Sequence, residues 1–251
     1  MIKKTEMKII KTKQIAAGTI EMQLEDDYIT QTAVPGQFIY IAVPGFTLRR
    51  PISIADTNKE NNQLTILFKI LGKGTKELAK FKTGMTLDVL GPNGNGFPLD
   101  PQANSTVVLI GGGIGVPPLY YLGKKLTEKN VNVISVLGFQ TKDHFFYEEE
   151  FKALGQTIIV TDDGSYGEKG FVTSVLGQLP AFDMFYSCGP LGMLRAVTKS
   201  LENKSGYISL EERMGCGVGT CAACVIPTNT AEGYKKICHD GPVFSAKEVI
   251  L

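Results

Sequence analysis

Four of the five cysteines in this 251-residue chain stand at Cys216, Cys221, Cys224 and Cys238, spaced C-x4-C-x2-C-x13-C. No other feature constrains the fold as strongly. The spacing is that of a [2Fe–2S] ligand set, in which four thiolates converge on one compact core, three from a tight loop and one from further along. The segment from Gly215 to Cys224 suits the task. Its glycines reach backbone angles closed to other residues, and its small side chains leave amides free to face sulfur. Structural zinc usually pairs its ligands as two short C-x2-4-C knuckles; here the fourth cysteine stands alone. Disulfides need an oxidising compartment. Rieske ligation needs two histidines, and the only histidine besides His239 is the distant His144.

The first residues, Met1 to Glu6, show no apolar core or cleavage site of an export signal, so the expected location is the cytoplasm. No apolar run approaches the ~20 residues of a membrane span. A net charge of +1 offers no field for nucleic acid or anionic lipid, so neither is expected as a partner. The length allows two domains and a small appendage. The 28 glycines cluster in short loops, which marks ligand-cradling turns rather than linkers.

Residues 1–100 read as strands: Lys8–Lys11, Thr19–Leu24, Gln37–Val43 and Leu64–Ile70 alternate or run apolar. Turns are signalled at Pro35-Gly36, Pro44-Gly45 and Gly91-Pro92-Asn93-Gly94, and a short helix at Thr75–Lys80. Short strands at this spacing predict an antiparallel β-barrel. Residues 101–208 change character. A continuous apolar strand, Thr106–Ile110, leads into a helix at Leu119–Glu128. Strands at Val131–Leu137, Thr157–Thr161 and Met184–Ser187 alternate with helices at Glu148–Leu154 and Val172–Gln178, predicting a doubly wound parallel sheet. Residues 209–251 form the cysteine module.

Gly111-Gly112-Gly113-Ile114-Gly115 falls where a strand meets a helix, a place for a dinucleotide phosphate, although Pro117-Pro118 rules out the G-x-G-x-x-G fingerprint. Cys188-Gly189-Pro190 follows the last parallel strand, which makes Cys188 a candidate to approach a nicotinamide ring; a buried packing role is the plain alternative. Arg50 can fork onto a phosphate, and Ser53 can hydrogen-bond a ring system. Gly74-Thr75 offers an amide and a hydroxyl at a helix start. Each of these signals is weak alone.

In this order, the motifs resemble the ferredoxin–NADP reductase superfamily across essentially the whole chain. With the cysteine module, and with Cys238-His239-Asp240-Gly241-Pro242-Val243-Phe244 and Leu210-Glu211-Glu212-Arg213-Met214 around it, the chain is similar to the electron-transfer subunits of bacterial dihydroorotate dehydrogenase B. The resemblance implies FAD on the barrel, NAD on the parallel sheet and a [2Fe–2S] cluster on the module. It implies that Arg50 meets the FAD pyrophosphate and Ser53 the isoalloxazine, with Pro51 and Ile52 between them. Leu67, Phe68 and Lys69 would line the cofactor along one strand, and Gly74-Thr75 would hold its phosphate end. Two departures stand out. Ile52 replaces an aromatic usual in the superfamily, and Gln140 stands where many relatives carry arginine.

Hydride moves two electrons, a [2Fe–2S] cluster moves one, and flavin handles both, so flavin belongs between the other two. No constellation for an organic substrate accompanies these motifs. The implied partner is a flavin-containing catalytic subunit that oxidises dihydroorotate, in a heterotetramer. Asp162-Asp163 favours NAD over NADP, whose 2′-phosphate wants arginine; Lys142 argues the other way. Alternatives are the equivalent subunit of a hydrogenase or of a sulfide or ferredoxin reductase, a free-standing flavin reductase, and a zinc-stabilised binding module.

Overall fold

The computed structural model describes all 251 residues. The first strands are β1 (Lys3–Ala16), β2 (Thr19–Glu25), β3 (Phe38–Ile41), β4 (Arg50–Asn58), β5 (Gln63–Lys69) and β6 (Thr86–Asn93). All pair antiparallel and close into a barrel in the order β1-β2-β5-β4-β3-β6. Alternation drives the closure: Met22 and Leu24, Ile39 and Ile41, Ile52 and Ile54, and Ile66 and Phe68 all point into one buried core. A short helix α1 (Asp27–Thr32) is capped by the Asp26 carboxylate, which accepts from the Ile29 amide at 2.6 Å. Helix α2 (Lys73–Leu78) follows β5.

The second unit contains β7 (Thr106–Gly112), α3 (Val116–Thr127), β8 (Asn132–Phe139), α4 (Glu148–Lys152), β9 (Gly155–Thr161), β10 (Glu168–Lys169), β11 (Met184–Cys188), α5 (Leu191–Ser200) and β12 (Ser205–Ser209). The sheet order is β10-β9-β8-β7-β11-β12, all parallel. Both faces of β7 are covered. Val108 and Ile110 join one core, Val107 and Leu109 the other, which is why its sequence is apolar without alternation.

The remainder carries a hairpin, β13 (Val225–Pro227) with β14 (Tyr234–Lys236), and a last strand β15 (Val243–Ser245). Strand β15 pairs antiparallel with β12, Ser209 opposite Val243, so the module extends the nucleotide-domain sheet to a seventh strand. No helix is long and apolar enough to cross a membrane.

Several local expectations change. The helix expected at Val172–Gln178 is two 3₁₀ turns, Val172–Ser174 and Leu176–Gln178, with Gly177 inside and Pro180 just beyond. The Gly91-Pro92-Asn93 turn signal is the end of β6, and the chain turns at Gly94, where φ is +74°. Strands β4, β6, β12 and β15 and helix α5 had no clear sequence signal.

The barrel and nucleotide domain lock through polar contacts. Tyr121 accepts from Thr57 at 2.9 Å and donates to the Ala33 carbonyl at 3.0 Å; Lys124 pairs with Asp56 at 2.7 Å. Tyr147 donates to Glu21 at 2.7 Å, and Lys13 pairs with the same carboxylate at 3.1 Å. Burial, then the Glu21 charge, raises the Tyr147 hydroxyl, so it remains a neutral donor.

Candidate functional site

The four cysteines of the module come together as two pairs. In one, the amides of Cys216 and Cys221 each point at the other's sulfur at 3.4 Å. In the second, the Cys238 amide points at Cys224 sulfur at 3.5 Å. Amides of Val218 and Gly219 add contacts to Cys216 and Cys238 at 3.4 and 3.2 Å. Two thiol pairs with backbone amides aimed at sulfur suit the four thiolates of a two-iron core. Burial opposes ionisation of Cys216, but the Thr220 hydroxyl and the Cys221 and Val218 amides outweigh it and lower this thiol to about 5. Cys238, deeper and beside Cys224, is pushed up to about 12.

A cleft of about 340 Å³ separates the barrel from the segment leading into this loop. Phe38, Pro51 and Ser53 line its barrel side; Ser209 to Met214 and Pro242 line the other. Strand alternation explains the barrel wall. Phe38 lies opposite Ser53 and Tyr40 opposite Pro51, and these face outward while Ile39 and Ile52 fill the barrel. Glu211, reached by solvent at the cleft wall but ringed by protein, has its carboxyl raised by desolvation.

The expected flavin residues divide accordingly. Ser53 and Pro51 present side chains to the cleft. Ile52 and Phe68 are spent on the barrel core, and Leu67 on the core beneath α3, so only their backbones remain for a ligand. Lys69 is half-exposed at the end of β5. The Arg50 guanidinium lies 4.8 Å from the Phe46 ring centre and donates to the Leu48 carbonyl. It also rests on Gly74, where a Cβ would come within 2.2 Å of Nε. The Thr75 hydroxyl accepts from the Leu71 and Gly72 amides at 3.0 and 3.2 Å, which holds the turn. Arg49 points away, to Asp88 at 2.8 Å.

Strand order reverses between β7 and β11, the switch point where open α/β sheets bind ligands beyond the strand C-termini. The expected nucleotide residues all lie there. A Cβ on Gly115 would stand 2.4 Å from the Cys188 carbonyl, and one on Gly112 would stand 2.5 Å from Met193 sulfur and 3.0 Å from Pro190. One on Gly111 would meet Val116 at 2.9 Å, and one on Gly189 would meet Met193 at 2.6 Å. These glycines let the two turns close on each other. Gly113, at φ +51°, faces open space instead and leaves room for a ligand to approach the backbone. Cys188 itself is fully buried; desolvation, then the Glu211 charge, raises its thiol. At the end of β9, Asp163 is tied to its own turn by Ser165 at 2.7 Å, while burial and Asp163 raise Asp162.

Phe38 and Glu211 line the cleft, and Tyr40 and Asn95 reach the cysteine module, without having been expected as site residues from the sequence. The outward phase of Phe38-Ile39-Tyr40-Ile41 was a usable signal for Phe38 and Tyr40; for Asn95 the sequence offered only a turn.

The fold and its three adjoining sites define an oxidoreductase that binds FAD, NAD and an iron–sulfur cluster. Family models match consecutively: an oxidoreductase FAD-binding domain over residues 6–97, an oxidoreductase NAD-binding domain over 109–199, and the iron–sulfur cluster binding domain of dihydroorotate dehydrogenase B over 211–250. The dihydroorotate dehydrogenase B (NAD(+)) electron transfer subunit of Lysinibacillus sphaericus is 51% identical, with all of both chains covered, and that of Bacillus mycoides is 50% identical with the same coverage. The chain belongs to this family of electron-transfer subunits. Among solved structures, an NADH-dependent reduced ferredoxin–NADP oxidoreductase shares 32% identity at a TM-score of 0.89, over 97% of this chain and 89% of that one. An Amycolatopsis cytochrome P450 reductase, 21% identical with a TM-score of 0.70 over 80% of this chain and 66% of that one, shares the fold.

Proposed function

We propose that this chain carries electrons from the flavin of a dihydroorotate-oxidising catalytic subunit, through a [2Fe–2S] cluster and FAD, to NAD⁺. The carrying observation is the cleft shared by Ser53, on the barrel, and the segment running into the cysteine loop. It supports a flavin seated between the cluster and the nucleotide crevice. FAD supplies the exchange between one-electron and two-electron transfer when bound.

The chain's own residues then have separable tasks. Arg50 and the Gly74 amide receive the pyrophosphate end, with Thr75 fixing the turn; Ser53 and the backbones of Pro51, Ile52, Leu67 and Phe68, with Lys69, orient the ring and its neighbouring parts. Gly113 admits the dinucleotide phosphate; Gly111, Gly112, Gly115, Gly189 and Pro190 shape the crevice. Cys188, raised by burial, serves as a neutral packing thiol under the nicotinamide position rather than as a nucleophile. Cys216, Cys221, Cys224 and Cys238 would supply the four thiolates that hold the cluster, which would supply one-electron transfer. Asp162 at the adenosine end favours NAD. The working unit is a heterotetramer with the catalytic subunit, in the cytoplasm, where thiols stay reduced.

Alone, the protein is expected to oxidise NADH with artificial acceptors and to leave dihydroorotate untouched. Mixed with its flavin-bearing partner, it should support dihydroorotate-dependent reduction of NAD⁺, followed at the NADH absorbance. Dihydroorotate oxidation by the isolated chain would overturn the reading.

A further inference from the structure

Buried residues of the cluster module, Met214, Cys224, Ile237 and Phe244 among them, share the nucleotide domain's core, and the barrel grips both ligand-bearing segments. On one side, Tyr40 of β3 is buried, with its hydroxyl 2.8 Å from the Gly215 carbonyl and 3.1 Å from that of Met214, the two residues before Cys216. Its ring lies so close to Gly217 that a Cβ there would stand 2.5 Å from Cδ1. On the other side, the Asn95 side-chain amide donates to the Asp240 and His239 carbonyls at 3.0 and 3.3 Å, directly after Cys238. Its backbone amide donates to the Gly241 carbonyl at 2.5 Å. The adjoining Gly94 leaves no room for a Cβ, which would stand 2.5 Å from that same oxygen. Tyr40 also sits opposite Pro51 across the strand pair that walls the flavin cleft. The ligand loop and the cleft wall are thus registered on one strand.

We propose that Tyr40 and Asn95 are positioning residues that fix the cluster's distance and orientation relative to the flavin. The inference rests on the electron path proposed above. Neither side chain touches a sulfur in any hydrogen bond; both act through backbone carbonyls flanking the ligands. Losing the buried Tyr40 hydrogen bond should raise the undocked population of the loop before Cys216 about fivefold, and losing the exposed Asn95 side-chain contacts should add a smaller rise for the segment after Cys238.

The test uses the FAD- and cluster-loaded protein carrying Tyr40→Phe with Asn95→Ala, beside Tyr121→Phe as a control. Tyr121 makes an equally buried pair of contacts at the barrel surface but faces neither ligand segment. The readouts are FAD, iron and sulfide content, and the magnetic coupling between one-electron-reduced flavin and reduced cluster, measured by electron paramagnetic resonance. The clamp variant is expected to keep its cofactors and show weakened coupling, with slower cluster reduction after NADH mixing; the control should match the parent. If the double variant sheds its cluster, Tyr40→Phe alone is measured. Cluster loss there, with FAD retained and the control intact, also supports the clamp, because the hydroxyl reaches only the ligand loop. Undiminished coupling in a clamp variant overturns the inference alone. Absence of coupling in the parent overturns the electron path beneath it.

Discussion

Replacing Cys216, Cys221, Cys224 or Cys238 singly with serine is expected to remove or cripple the cluster, while Cys188→Ser keeps iron and acid-labile sulfide at the parent level. The ligand thiols fall into two pairs with backbone amides aimed at sulfur, and each pair loses half its donors when one member changes. A hydroxyl is a harder, far less acidic donor than a thiol and replaces thiolate on iron poorly. Cys188 sits on β11 opposite Ser209, under the nucleotide crevice and outside both pairs. Iron and sulfide analysis of the five variants decides the matter; loss from Cys188→Ser with retention in Cys238→Ser would reverse the assignment. The same variants separate the two halves of the path. Cys221→Ser, provided it stays folded and keeps FAD, should lose dihydroorotate-dependent NAD⁺ reduction with the partner yet retain NADH-to-dye activity, because NADH meets the flavin without needing the cluster. Full coupled turnover without a cluster would mean the electrons run elsewhere.

What the sequence made legible follows from how each feature is encoded. The candidate cysteine ligands stand out in the sequence because metal ligation demands one residue type at a fixed spacing. The barrel strands β2 and β5 were readable because half their residues must enter a core. Strand β4 was hidden: it opens Arg50-Pro51, a pair that reads as a loop edge, and its inward residues Ile52 and Ile54 were too few to declare a period. The Gly91-Pro92 pair concealed β6 in the same way. Strand β15 is a three-residue segment whose existence depends on the free edge of β12, so no local pattern could announce it. At the candidate site, the expected residue types and the atoms left free by packing do not coincide. Leu67, Phe68 and Ile52 lie on the barrel strands of the proposed flavin site, but their side chains are core, and a contact made by backbone leaves no trace in residue type. The packing of barrel against cysteine loop through Tyr40 and Asn95 is a pairing between distant segments and was unreadable for that reason.

The Arg50–Gly74 contact gives the second large expected effect. Arg50→Ala removes a guanidinium whose charge-assisted hydrogen bonds to a phosphate are worth about 1.5–3 kcal/mol, roughly tenfold or more in FAD affinity. Gly74→Ala should reproduce that loss without touching the charge. Its Cβ would lie 2.2–2.6 Å from three guanidinium-group atoms of Arg50, the far end of a flexible side chain, so the arginine must swing off its seat. Gly74 lies within α2, where alanine favours helix over glycine by about 1 kcal/mol. Apo-protein melting should therefore hold or rise while FAD retention falls, a combination that simple unfolding cannot produce. Because both changes act on one contact, Arg50→Ala with Gly74→Ala should bind FAD little worse than either alone. Arg49→Ala supplies the contrast. Its guanidinium is bound to Asp88 and to the Asp88 and Tyr40 carbonyls, so its loss should lower barrel stability and leave FAD retention nearer the parent. FAD content after gel filtration, set beside melting temperature, reads all four proteins. Independent, additive losses in the double variant would show that Gly74 acts on the flavin by some route other than Arg50.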